Sequence, residues 1–258
     1  MIRITWFEAQ GPWIAAMTER DDGDFHYHPG REDDGGRLSR AGGFPVKRLA
    51  RVHQAHGTAV LCLPEASLWE GVPPEPRQVI SPETGVNDGD TRPVADALAC
   101  AGTDWTLGVS VADCLPVWLG DPGVPCVAII HAGRRGALAG IAEKTARVLV
   151  KRFGADPRRM VAAIGPGAGP CCYEIAPEMA SALQAAGHPV TAGRLDLPEV
   201  VLRSLVSAGM DPCRIHRTGL CTICSGRFFS YRRGDLSARN LALTSLISDD
   251  ATDNHVLQ

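Results

Sequence analysis

Three short segments of this chain place soft or borderline metal donors beside small residues. They are His53-Gln54-Ala55-His56-Gly57-Thr58, Val111-Ala112-Asp113-Cys114-Leu115-Pro116 and His131-Ala132-Gly133-Arg134-Arg135-Gly136. The imidazoles of His56 and His131 and the thiolate of Cys114 are a donor set suited to zinc. A structural zinc site ordinarily takes four protein ligands, often in pairs close in sequence. These three are scattered along the chain, which suits a site that keeps its fourth position for water or substrate. In such a site the ion lowers the pKa of water to about 7. The third segment adds an anion pocket. A glycine-rich strand-to-helix turn presents unpaired N–H groups at the positive end of a helix, and two guanidinium groups lie beside it. Arg134, Arg135 and Gly136 are therefore candidates for phosphate binding.

Other segments carry further candidates. In Gly165-Pro166-Gly167-Ala168-Gly169-Pro170-Cys171-Cys172-Tyr173-Glu174, Tyr173 and Glu174 are placed to face a ligand. Asp113 and Glu174 are candidates for moving protons. Cys171 and Cys172 are adjacent, a poor geometry for a disulfide, and read as packed thiols. Cys221-Thr222-Ile223-Cys224 has CxxC spacing, but one pair without a second reads as structural thiols. Phe228-Phe229-Ser230-Tyr231-Arg232-Arg233 reads as a β-type run with a basic end, where Arg232 and Arg233 could meet an anion. Asp96, in an apolar stretch, is either a helix N-cap or an acceptor that orients an imidazole. His26 and His28 lie in a charged stretch and read as exposed. Each candidate also has a plainer reading: a buried thiol, a hydrogen-bonded histidine, a solvated turn. The same residues allow metal-free chemistry as well, with Cys114 as nucleophile and His131 as its base.

The elements that must position these groups are partly visible. Thr106–Val111, Val127–Ile130 and Met160–Ile164 are apolar runs of strand length. Ala137–Phe153 predicts one helix, with Leu138, Ile141, Ala142, Thr145, Val148 and Leu149 on one face and Gly154 as its stop. Pro177–Ala186 and Pro198–Ala208 predict two more, each opened by proline. Residues 21–43 and 71–93 are rich in Gly, Pro and Asp and read as long loops, and the tail from Asp249 reads as frayed. Strands and helices do not alternate as in a doubly wound sheet, and neither GxGxxG nor GxxxxGK[ST] occurs.

Composition bounds the functional class. With 258 residues, 45% hydrophobic and 21% charged, the chain can bury a substantial core. A net charge of −3 favours neither nucleic acid nor a membrane surface as partner. No apolar run reaches the roughly 20 residues of a membrane span. The first ten residues lack the apolar core of a signal peptide, so a cytoplasmic location is expected. Nine cysteines, an odd number, read as thiols of a reducing compartment, with a ligand or nucleophile among them.

Taken in order, the segments resemble a known family. Gln54-Ala55-His56-Gly57, Ala95-Asp96-Ala97-Leu98, Ala112-Asp113-Cys114-Leu115-Pro116-Val117, His131 through Gly136, Ile164 through Ile175, and Cys221-Thr222 with Phe228 through Arg233 look like the motifs of the laccase-domain (YfiH-like) family. That family is also called multicopper polyphenol oxidases, purine nucleoside phosphorylases or peptidoglycan editing factors. The resemblance implies an α+β fold, a single-domain layered α/β/β/α sandwich over residues 1–258, with His56, Cys114 and His131 as metal ligands. It implies zinc, or alternatively copper. The small-molecule substrates implied are purine nucleosides and phosphate, with phosphorolysis of adenosine, inosine and methylthioadenosine and deamination of adenosine. Copper-dependent phenol oxidation and peptidoglycan-precursor editing are the alternatives the resemblance carries. A closed structural zinc in a binding protein is the non-enzymatic alternative. Two departures stand out: Arg134 replaces the family's Trp, and Met17–Gly43 hardly resembles the family's N-terminal region.

Overall fold

Apolar runs too short for buried helices pair into two stacked sheets. The computed structural model describes residues 1–26, 36–38, 44–63 and 92–247. Six strands form one mixed sheet, in spatial order β12 (Ile215–Arg217), β9 (Val161–Ile164), β7 (Leu115–Asp121), β8 (Cys126–Ala132), β5 (Ala97–Ala101) and β4 (Val60–Leu63). Five form the other, in order β1 (Ile2–Arg3), β2 (Trp13–Met17), β13 (Asn240–Leu246), β6 (Trp105–Val111) and β3 (Arg48–Ala50). A small ribbon pairs β10 (Val190–Thr191) with β11 (Arg194–Leu195).

Period-two alternation sorts the central strands between two cores. Val117 and Leu119 of β7, with Ala128 and Ile130 of β8, face a helical layer. Trp118 of β7, with Val127 and Ile129 of β8, faces the five-stranded sheet and its Trp13, Met17, Leu107 and Val109. Because both faces of β7 and β8 are covered, these strands read as continuous apolar runs rather than alternating ones. Trp118 reaches across the sandwich and donates its indole N–H to the carbonyl of Leu243 at 2.8 Å.

The helical layer comprises α2 (Arg134–Leu138), α3 (Ile141–Phe153), α4 (Pro177–Ala185) and α5 (Leu197–Ser207), with a short α1 (Thr5–Glu8) preceding them. On the far face of the five-stranded sheet, Ile14, Ala16, Leu241 and Leu243 are covered by Phe25, Leu38 and Phe44, and residues 36–38 are helical. The architecture is thus α+β, with two sheets packed between outer layers.

Three sequence expectations change. The single helix expected over Ala137–Phe153 is two, because Gly140 takes φ +80° and breaks it, and the first begins earlier, at Arg134. Gly154, at φ +74°, does end the second. The expected strand at Phe228–Arg233 is instead a coil closed by a 3-10 turn at Tyr231–Arg233, capped by Ser230, whose side chain accepts from the N–H of Arg233. The described part of 21–43 is not simply exposed: Phe25 and Leu38 are fully buried, and His26 is half-buried. His28, most of the 71–93 loop and the tail lie outside the described residues.

Asp196 caps α5 by accepting from the N–H of Glu199 at 2.9 Å. Asp196→Ala is expected to lower unfolding stability by about 1 kcal/mol. Urea denaturation at pH 7 measures this, and an unchanged midpoint would show that the cap contributes nothing.

Candidate functional site

One rim of the six-stranded sheet collects the chemistry. Pro116 of β7 lies opposite His131 of β8, so Cys114, two residues earlier, sits at the same end. Ala97 of β5 lies opposite Ile130, which sets Asp96 across from His131, and the N–H of His131 donates to the Asp96 carbonyl at 2.7 Å. β4 runs parallel to β5 and is entered from the same rim, where the His56-Gly57 turn lies. β9 and its parallel neighbour β12 both end there. The rim therefore joins segments distant in sequence.

There the side chains of His56, Cys114 and His131 bring one donor atom each within 4.8 Å of one another. The two imidazoles meet edge to face, with centroids 4.8 Å apart. His131 is buried, Cys114 half-buried and His56 exposed. His56 (φ +60°) and Asp113 (φ +84°) hold left-handed backbone, a conformation for which non-glycine residues at functional sites are enriched.

Asp96 organises the cluster. It is almost fully buried. Its Oδ1 accepts from the N–H of His56 at 2.9 Å and lies 2.8 Å from His131 Nδ1, while its Oδ2 accepts from the N–H of Gly57 at 2.7 Å. Burial alone would raise its pKa, but the His131 contact and the two N–H donors outweigh it and hold the carboxyl below its usual range. With Nδ1 engaged by a carboxylate, His131 has Nε2 left for a ligand, the arrangement that raises the basicity of a metal-binding imidazole. Of the two sequence readings of Asp96, the structure favours the imidazole-orienting one.

The thiol of Cys114 answers to both histidines. Burial pushes it up, yet the charge and hydrogen bonds of His131 and then His56 bring it down to about 6. Burial lowers His131, yet the Cys114 thiolate and Asp96 lift it to about 9. A thiolate is thus favoured at neutral pH, the form that either ligates a metal or attacks a carbonyl.

Glycine is required next to these donors. A Cβ on Gly133 would lie 2.8 Å from His56 Cδ2 and 2.9 Å from Cys114 Sγ, and one on Gly136 would lie 2.7 Å from the Gly57 carbonyl. Gly136 is therefore packed against the His56 turn. The donors fit a metal on three counts: the ligand types, the carboxylate behind His131, and the glycines that keep the space open.

The remaining candidates fall into two groups. Tyr173 is half-buried, and its hydroxyl pKa is raised, by burial first and by Cys114, against the lowering charges of Arg134 and Arg232. The Arg232 guanidinium lies 5.0 Å from the centre of the Tyr173 ring and donates to the Glu174 carbonyl at 3.0 Å. The Arg134 side chain is half-buried, and Arg135 is exposed, with one long contact to the Ala55 carbonyl at 3.4 Å. These groups border the cluster. Others are occupied elsewhere. Both carboxylate oxygens of Asp113 are taken, by the Thr222 hydroxyl at 2.6 Å and the N–H of Arg232 at 2.8 Å. The Glu174 side chain is largely exposed and pairs with Arg194 at 3.2 Å. Arg233 donates to the carbonyls of Thr222, Ile223 and Phe228 and so braces its own loop.

Sequence reasoning passed over two positioning residues. Gln54 docks the His56 segment on β6 through paired 2.8 Å bonds to the Ser110 backbone, and Thr222 clamps Asp113. Both stood inside quoted motifs, but nothing local shows that Thr222 reaches Asp113, 109 residues away in the chain.

Known proteins share this chain's pattern and fold. The family described as multi-copper polyphenol oxidoreductase laccase matches residues 32–246. A protein of Deinococcus radiodurans named purine nucleoside phosphorylase is 31% identical over 203 residues, covering 76% of this chain and 69% of that protein. A purine nucleoside phosphorylase of Streptomyces coelicolor is 35% identical over 153 residues, covering 57% of this chain and 62% of its own length. Among solved structures, YlmD from Geobacillus stearothermophilus superposes with a TM-score of 0.71 at 25% identity and 93% coverage of both chains. YfiH from Bacillus licheniformis superposes with a TM-score of 0.68 at 24% identity, covering 91% of this chain and 92% of that one. A match spanning most of the chain places it by descent as well as by fold: the chain belongs to the multi-copper polyphenol oxidoreductase laccase family, the YfiH-like proteins.

Proposed function

We propose that this chain is a zinc-dependent purine nucleoside enzyme, which phosphorolyses adenosine, inosine and methylthioadenosine and deaminates adenosine. The observation that carries the reading is the convergence of His56, Cys114 and His131 backed by Asp96. The family relationship and the relatives named purine nucleoside phosphorylase support it. His56, Cys114 and His131 would hold the ion. When bound, zinc supplies Lewis acidity at its open position. Zinc is preferred to copper because multicopper oxidation needs several histidine-rich centres, and among the described residues one cluster contains histidine.

The chain's own groups do the rest. Asp96 fixes the ring of His131 and turns its Nε2 toward Cys114 and the ion site. The Tyr173 hydroxyl stays protonated at neutral pH and is available as a hydrogen-bond donor, while its ring is held by the Arg232 guanidinium. Arg134 and Arg135 receive phosphate and hold it for attack at the ribose C1′, which breaks the glycosidic bond. Asp113 positions the Cys114 turn through Thr222 and Arg232 rather than moving a proton.

The test is direct. Purified protein given adenosine and phosphate is expected to form adenine with ribose 1-phosphate, and inosine by deamination, and both activities should stop on chelation. If neither product forms at any zinc loading, the reading fails. Arg134→Ala is expected to raise the KM for phosphate about tenfold or more, since a hydrogen bond to a charged group contributes about 1.5–3 kcal/mol. Steady-state kinetics with phosphate varied measures this, and an unchanged KM removes Arg134 from the anion site.

A second reading rests on the Cys114 thiol lying against the His131 imidazole, which Asp96 backs and which favours the thiolate. That pair suits a cysteine hydrolase, including one acting on peptidoglycan-precursor amides. Amide hydrolysis that persists in chelator and is lost in Cys114→Ser would favour it.

A further inference from the structure

A second group of four sulfurs lies on the same rim and is not used by the chemistry above. Cys171 and Cys172 come from the loop after β9, and Cys221 and Cys224 from the loop after β12. Their four sulfur atoms all lie within 4.8 Å of one another. We propose that Cys171, Cys172, Cys221 and Cys224 bind one Zn2+ as a closed tetrathiolate site, separate from the His56, Cys114 and His131 centre.

Burial argues against packed thiols. A cysteine kept as a small hydrophobe belongs in the core. Here Cys171 and Cys224 are exposed and Cys172 is half-buried, and only Cys221 is buried. Distance argues for an ion. Cys171 Sγ and Cys224 Sγ are 3.8 Å apart. Four sulfurs in a tetrahedron, each about 2.3 Å from zinc, stand about 3.8 Å from one another. A covalent pair would be at about 2.05 Å.

The backbone is also shaped for thiolate ligation. The N–H of Gly169 donates to Cys221 Sγ at 3.4 Å. Such a donor stabilises a ligating sulfur and orients it. A Cβ on Gly169 would meet Cys221 Cβ at 3.3 Å and Cys171 Sγ at 3.4 Å, so the glycine leaves the sulfurs their room. Cys171 and Cys221 also line a cleft of about 320 Å³ with Gly169, Pro170 and Leu220, which gives an ion a route in.

The metal class follows from the ligands. Four thiolates select zinc, copper(I) or iron–sulfur chemistry over hard cations. A cluster of several irons interposes its own sulfides and spreads its ligands, whereas four sulfurs this close surround a single ion. With four protein ligands no position stays open, so the site is structural. It ties the loop bearing Tyr173 to the loop bearing Thr222 and Arg232, the two flanks of the His56, Cys114 and His131 centre.

The test uses the full chain purified without chelator or added metal. Elemental analysis is expected to find two zinc ions per chain in the wild type, one in Cys114→Ser, and one in the double variant Cys171→Ser, Cys224→Ser. Cobalt bound by Cys114→Ser is expected to show the intense sulfur-to-metal charge-transfer and low-energy bands of a tetrahedral tetrathiolate. If the double variant does not fold, a thiol-specific mercurial titrated into Cys114→Ser replaces it: its one zinc should be released as four thiols react together, apart from the exposed Cys213. Metal-free Cys114→Ser with four freely reactive thiols would overturn the proposal, as would a disulfide within the group or several irons per chain. Zinc retained by Cys114→Ser alongside failure of the nucleoside assays would leave this site standing and remove only the enzymatic reading.

Discussion

Cys114→Ser is expected to lower kcat/KM for adenosine phosphorolysis by at least about a thousandfold, and deamination equally. A bound ion contributes several kcal/mol to transition-state charge stabilisation, and each 1.36 kcal/mol is worth about tenfold in rate. Serine keeps the shape of the turn but offers a hydroxyl that does not ionise near neutral pH. The remaining donors, His56 and His131, form an incomplete set. The fold should survive, because the Asp113 clamp to Thr222 and Arg232 and the strand register of β7 on β8 do not depend on the sulfur. Steady-state kinetics with parallel zinc analysis and circular dichroism is the measurement. A folded variant that keeps its turnover would remove Cys114 from the chemistry.

Asp96→Asn should weaken zinc binding at the His56, Cys114 and His131 centre by about 10–100-fold. The substitution changes almost no volume but turns one acceptor into a donor. If the new amide NH2 faces Gly57, it meets an N–H that Asp96 Oδ2 now satisfies. If it faces His131, it donates to Nδ1 and forces the proton onto Nε2, the nitrogen needed for the ion. Either orientation fails at least one partner, and the second also faces the N–H of His56. A buried donor left unsatisfied also costs about 1–3 kcal/mol of stability. Competition with a chromophoric chelator, with denaturation followed at fixed zinc, separates the two effects. Unchanged affinity would mean that Asp96 supports only the backbone turn.

How much of this was legible in the sequence depended on how local each signal was. His56, Cys114 and His131 stood out because each ends or begins an apolar run beside small residues, and the structure brings their donor atoms together. The α+β layering followed from the family motifs, but strand order did not. β13 lies between β2 and β6, and β12 beside β9, pairings made by segments far apart in the chain. The break at Gly140 was hidden because the apolar face of Ala137–Phe153 continues across it. The grouping of the four cysteines was hidden for a similar reason. An adjacent pair and a lone CxxC each look insufficient, and only the parallel run of β9 and β12 brings their loops together. The Phe228–Arg233 segment has strand composition, yet capping by Ser230 and the Asn240 side-chain bonds to the Phe229 backbone turn it into coil.

The three histidine and cysteine donors are graded in depth, from buried His131 through half-buried Cys114 to exposed His56. For an ion bound by the three, that grading would set a direction of exchange. His131 is anchored to Asp96 at the bottom, whereas the His56 ring meets solvent from an irregular turn. An ion held there would rest on the Asp96-backed His131 and Cys114 below and be latched by His56 from the solvent side. It would leave by the same side, so the lifetime of a loaded state would depend on how firmly the Gln54–Gly57 turn is docked on the end of β6.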